Sequence, residues 1–188
     1  MRIVAGRFGG RRLVAPEGAK TRPTTDRMRE TIASMVLSEL GLDLGGKRVL
    51  DAFAGSGAVG MELLSRGADH VTFIERDRRA RQAILRNVGE LGVEKSEYSL
   101  VYGDSFALAA RGGIAGAPFD IVFLDPPYAV AARDLQGLVE GLRASGDASE
   151  SCLVVYERAS DAEGLDLPAG QEVRVRSHGT TTVELWRV

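Results

Sequence analysis

The sequence predicts an α/β fold built on a mostly parallel sheet, with a C-terminal antiparallel strand and a small N-terminal β-hairpin arm. Three observations carry that expectation. From Arg48 onward, short continuous apolar runs alternate with stretches of helical periodicity, the pattern of strands covered on both faces and joined by right-handed crossovers. The first such run ends in a glycine-rich turn, Gly55-Ser56-Gly57. The last two runs, 171–177 and 180–187, alternate side-chain type around His178-Gly179 with no helix between them, which reads as a hairpin.

Taken in order, residues 2–5 and 11–14 are expected to pair around Gly9-Gly10. The segment Arg22-Pro23-Thr24-Thr25-Asp26 then leads into a helix reaching about Leu40, with Thr25 or Asp26 as N-cap and Met28, Ile32, Met35 and Val36 on one face. Val49–Phe53 reads as the first strand, residues 58–66 as a helix closed by Gly67, and Val71–Ile74 as the second strand. In 77–91, Ala80, Ile84, Leu85, Val88 and Leu91 fall at helical spacing. Ser99–Tyr102 and Asp120–Leu124 are the third and fourth strands, a helix follows near 131–144, and Cys152–Tyr156 is the fifth strand. No internal repeat and no dividing linker interrupt the chain, so 1–188 is expected to be one domain, with an arm at 1–22 and a body at 23–188.

The composition bounds the class. A chain of 188 residues with 44% hydrophobic and 27% charged residues can bury a core, and is not disordered. No apolar run approaches the roughly 18 residues that a membrane helix needs, and Gly6 and Arg7 interrupt the start too soon for a signal-peptide core. With Cys152 as the only cysteine, no intrachain disulfide can form, and a reducing cytoplasm is the expected compartment.

Net charge is −2, but it is unevenly placed. Residues 1–29 carry eight basic side chains against two acidic ones, a net of +6, which leaves −8 on the other 159 residues. A cationic arm on an acidic body suits a phosphate-bearing partner met at one end. Among the basic residues only Lys20, Lys47 and Lys95 are lysine, and arginine's planar fork favours bidentate phosphate contact.

Open parallel sheets bind ligands beyond the carboxyl ends of their strands. Asp51, Glu75, Asp104 and Asp125 all fall at such ends. The loop Gly55-Ser56-Gly57-Ala58-Val59-Gly60 satisfies G-x-G-x-x-G, and Glu75 follows Gly55 by twenty residues, a spacing compatible with a nicotinamide dinucleotide. Charge separates that ligand from another. A pyrophosphate would be repelled by Asp51, whereas the sulfonium and ammonium groups of S-adenosylmethionine would be attracted to an acid-lined pocket.

The run Asp125-Pro126-Pro127-Tyr128 adds chemistry. An exocyclic amine on a base is a poor nucleophile because its lone pair is delocalised into the ring. Hydrogen bonds from its N–H groups to the Asp125 carboxylate and the Pro126 carbonyl would draw the nitrogen toward tetrahedral geometry, and consecutive prolines would stiffen the acceptors. Tyr128 offers a ring for base stacking, worth roughly 1–3 kcal/mol.

The chain resembles the RsmD-type guanine-N2 methyltransferases of small-subunit rRNA, which have the Rossmann-like class I methyltransferase fold. The resemblance rests on Arg2-Ile3-Val4-Ala5-Gly6 with Gly10-Arg11, on Arg22 to Glu30, on Asp51 to Gly60, and on Asp125-Pro126-Pro127-Tyr128. It implies methyl transfer from S-adenosylmethionine to one guanine, guanine 966 of 16S rRNA, in a partly assembled small subunit. An in-line displacement on a carbon already activated by the sulfonium needs no metal, the lack of a long apolar run argues against a membrane partner, and a monomer is expected. Carried over by residue, Asp51, Phe53, Gly55 and Gly57 would cradle the methionine part of the cofactor. Glu75, with Arg76 beside it, would meet the ribose, and Asp104 and Ser105 the adenine edge. Asp125, Pro126 and Tyr128 would handle the base. Thr24 with Arg22 would approach the cofactor's carboxylate or the RNA, and Arg7, Arg11, Arg12, Arg22 and Arg29 would grip phosphates.

Other readings stay open on sequence. The same acid-Pro-Pro-aromatic run serves DNA adenine-N6 methylation, although the chain has no sizeable target-recognition insertion. A non-catalytic RNA-binding assembly factor with a vestigial pocket is a further alternative. His70 and His178 have no ligand-spaced partners and are expected at the surface or in a turn. Cys152, Trp186, Met28 and Met35 read as packing residues, and Glu157 at the end of the fifth strand as either solvent-exposed or substrate-facing.

Overall fold

A computed structural model describes residues 1–16, 25–127 and 129–188. The chain forms helix α1 (Asp26–Glu39), strand β1 (Arg48–Asp51), α2 (Ala58–Ser65), β2 (His70–Ile74), α3 (Arg78–Leu91), β3 (Tyr98–Val101), α4 (Ser105–Arg111), β4 (Phe119–Leu124), α5 (Ala132–Ala144), β5 (Ala148–Ala159), β6 (Arg174–His178) and β7 (Thr181–Arg187). The strands make one sheet in the order β3-β2-β1-β4-β5-β7-β6. All pairings are parallel except those of β7, which runs antiparallel to both β5 and β6. The terminal hairpin therefore inserts its second strand between β5 and β6. Strand order reverses between β1 and β4, which opens a crevice at their carboxyl ends.

Two apolar layers cover the sheet. On one face Ile32, Val36, Leu63, Leu64, Ile84 and Val88 pack on Val49, Phe73, Phe123 and Val155. On the other, Leu108, Leu135, Leu138 and Leu142 pack on Leu50, Val122, Cys152 and Val154. Each fully buried Val, Leu or Ile contributes about 1.5–3 kcal/mol of transfer free energy. The helix starts follow local chemistry: Thr25, Asp77 and Asp104 each accept backbone N–H groups of the first turn. Helix α4 was not expected. Its seven residues are too few for a periodic signal, though Asp104 as N-cap and Gly112 at φ 71° bracket it.

The arm turns back on itself as foreseen, but its ladder is only the bridge between Arg2 and Arg12. It is held by the body. Buried Glu62 on α2 accepts from the N–H groups of Val4 (2.7 Å) and Ala5 (3.1 Å), while Ile3 and Leu13 are buried beneath the arm. Gly6, at φ +82°, presses so close to α2 that a Cβ would lie 1.9 Å from the Ser65 carbonyl oxygen, so no other residue fits there. His70 is a correction: it is buried, with its ring bonded to the Ser96 carbonyl (2.9 Å) and the Ser99 hydroxyl (3.1 Å). It ties β2 to β3.

Candidate active site

The first strand delivers Asp51 to the crevice as a fully enclosed carboxylate. It is 2% exposed, and its Oδ2 accepts the Gly60 N–H at 3.2 Å. Burial pushes the Asp51 carboxyl up to about 7; the Gly60 N–H opposes that rise, and the neighbouring Asp125 and Glu75 add to it. Three of the expected carboxylates are thus brought together. Glu75 braces the glycine turn, its Oε2 accepting from Gly55 N–H at 2.8 Å and its Oε1 from Asp77 N–H at 2.7 Å.

Register explains the convergence. Asp51, Phe123 and Val155 are cross-strand neighbours, and Phe73 flanks Asp51 on the other side. Alternation places Glu75, Asp125 and Glu157 one row nearer the carboxyl edge on the same face. Glu157 is only 9% exposed, which removes its solvent-exposed reading. Sequence gave no decisive signal for it, because a strand-end acid looks alike whether exposed or covered.

The remaining expected cofactor residues divide. Gly55 (φ +54°) has open space where a Cβ would be, whereas Gly57 (φ +76°) would clash with Met61. One glycine opens the cradle and the other lets α2 approach the sheet. Phe53 packs on Phe106 with ring centroids 5.8 Å apart. Arg76 is exposed and reaches Asp104 at 3.7 Å. Asp104 uses Oδ1 to cap α4. The buried Ser105 hydroxyl donates to the Ala52 carbonyl, so its side chain works as a brace between α4 and β1. Pro126 follows Asp125 directly beyond β4. Thr24, Arg22 and Tyr128 lie outside the described residues.

The expected phosphate-gripping arginines are not gathered at this edge. Helix α2 runs from the carboxyl edge at Ala58 toward the amino edge at Ser65, about 12 Å of helix. The arm's tip binds Ser65 through Arg7 N–H and Phe8 N–H. Arg7 pairs with Glu97, just before β3, and Arg11 donates to the Glu90 carbonyl. Arg12 is exposed. Arg29 is a correction. Its side chain is fully buried, bonding the Arg2 carbonyl and Asp26 at 2.6 Å each, so it anchors the arm and α1 and cannot reach a phosphate.

An enclosed acid flanked by two more suits a cationic ligand and opposes a pyrophosphate. Gly55 leaves room for that ligand to approach the backbone. The donor set fits S-adenosylmethionine. Among the described residues no His, Cys, Asp or Glu side chains group as a metal site, and no helix is long and apolar enough to cross a membrane.

Strand order, crevice and acid set together define a Rossmann-like methyltransferase that uses S-adenosylmethionine. Comparison with known proteins gives the family. Residues 1–187 match the family described as "Conserved hypothetical protein 95", and the chain belongs to it, the RsmD family. YlbH of Bacillus subtilis is 34% identical over 190 residues, covering 100% of this chain and 98% of that protein. Ribosomal RNA small subunit methyltransferase D of Escherichia coli is 39% identical over 128 residues, 68% of this chain and 60% of that protein. The solved structure of yhhF from Escherichia coli superposes with a TM-score of 0.78 at 31% identity, covering 100% of this chain and 97% of that one.

Proposed function

We infer that the protein methylates N2 of one guanine of small-subunit rRNA, guanine 966, within an assembling particle. The observation that carries this reading is the place of Asp125-Pro126, directly beyond β4 and one row from Asp51 on the acid-lined face. The name of the Escherichia coli relative supports the substrate class.

Asp51 and Glu75 would hold S-adenosylmethionine, which would supply a methyl carbon activated by its sulfonium. Asp125 accepts one N2–H of the guanine and the Pro126 carbonyl accepts the other, so the amine's lone pair turns toward that carbon. Such alignment contributes about 7–11 kcal/mol to lowering the barrier. As the new N–C bond forms, the methyl carbon's bond to sulfur would break, S-adenosylhomocysteine would be the leaving group, and the Asp125 carboxylate would take the proton the amine sheds. Tyr128 is the ring assigned to stack on the base. The base must reach this site unstacked from its neighbours.

The arm extends the footprint. Arg7, Arg11 and Arg12 grip backbone far from the target base, so a substrate must cross the α2–α3 face to engage both. A folded RNA or particle meets that demand better than a short strand. The test is methyl incorporation into immature small subunits by Asp125→Ala: turnover should collapse, and turnover equal to the unaltered protein removes Asp125 from the chemistry.

A further inference from the structure

In the reading proposed above the cofactor would lie against the carboxyl ends of β1 and β2, at Asp51 and Glu75, and the base beyond the ends of β4 and β5. There the register sets a second acid beside Asp125. Leu124 pairs with Tyr156 in the parallel β4–β5 ladder, so Glu157 flanks Asp125 one step further on, at the roughly 4.8 Å spacing of adjacent strands. Strand β5 continues to Ala159 and pairs Glu157 with Val183 on β7, so its side-chain direction is fixed by the ladder toward the face that bears Asp51. The side chain is buried.

A carboxylate only accepts hydrogen bonds. Guanine alone among the RNA bases places a ring N–H next to an exocyclic amine, two adjacent donors on one edge. Adenine offers a lone pair at N1, which a carboxylate repels. We propose that Glu157 reads the target base by accepting its N1–H while Asp125 and Pro126 hold N2, making it a specificity-determining residue. This assignment rests on the guanine-N2 reading above. It explains why an acid is placed in β5 at this depth, and it supplies exclusion of adenine as well as attraction of guanine.

The test uses small-subunit RNA carrying either guanine or 2-aminopurine at the target position, assembled into particles. 2-Aminopurine keeps the N2 amine but has a lone pair at N1 and lacks O6. With the unaltered protein, kcat/KM should fall roughly tenfold to a hundredfold on going from guanine to 2-aminopurine. Glu157→Gln can donate to that lone pair, so its preference should shrink at least tenfold, with cofactor affinity unchanged. Glu157→Asp keeps the charge and should keep the preference at a lower rate. An undiminished preference in Glu157→Gln overturns the assignment, as does a ratio near one in the unaltered protein, which holds even if the variant fails to fold. No transfer by the unaltered protein to the guanine substrate overturns the base-methylation reading itself.

Discussion

The Gly60 N–H points at Asp51 Oδ2 from 3.2 Å, and among the described residues it is the one hydrogen bond found for that enclosed carboxylate. A single backbone donor does not compensate for burial and two flanking acids, so the folded protein binds the Asp51 proton more tightly than the unfolded chain does. Its ordinary value is 3.8 and its folded value about 7. The stabilisation tied to that proton is complete below the lower value, declines as pH rises between them, and is lost above the higher one. Cofactor-free Asp51→Asn should therefore be more stable than the unaltered protein at pH 8, by on the order of 1 kcal/mol or more, and the gap should close toward pH 5. Thermal melts across that range check it. The same variant should bind S-adenosylmethionine more weakly at pH 8, measured by calorimetry.

Gly60 has a second duty. A Cβ there would lie 2.5 Å from Phe73 and 2.8 Å from Val71, so this residue, like Gly57, lets α2 lie against the sheet by having no side chain. Gly60→Ala should cost about 1–3 kcal/mol through overpacking, read by denaturant unfolding, and should loosen the bond to Asp51.

Asp125→Ala should lower kcat by about 10²- to 10³-fold, the range for loss of one aligned polar group. Cofactor affinity should hold or rise, because one of the acids burdening Asp51 is gone. A matching loss of cofactor binding would place Asp125 in the cofactor site instead.

The arginines of the arm should behave in two ways. Arg11→Ala with Arg12→Ala should weaken RNA binding and reduce its salt dependence by about one to two charges. Arg29→Ala should leave that slope intact and cost about 2–4 kcal/mol of stability, since it empties a buried side-chain site and removes the donor to the Arg2 carbonyl. Filter binding across a salt series, paired with thermal melts, separates the two.

Much of this was legible because strands and their ends leave strong local signals. The apolar runs ending in Asp51, Glu75 and Asp125 gave the sheet, and its register then brought those acids together. What escaped depends on contacts far apart in sequence. Arg29 looked like one of several arm cations until Arg2 and Asp26 enclosed it. His70 has no nearby partner in the chain, yet finds Ser96 and Ser99 across the sheet. Glu62 lies in an ordinary helical run, and its role as the clamp for Val4 and Ala5 spans 58 and 57 residues.

The central claim is that Asp125 and Pro126 present a guanine N2 to the donated methyl group. The most direct measurement is nucleoside mass spectrometry of small-subunit rRNA from immature particles incubated with the protein and isotopically labelled S-adenosylmethionine. The account predicts label in N2-methylguanosine at a single site. Label in N6-methyladenosine, or in no nucleoside at all, would contradict it.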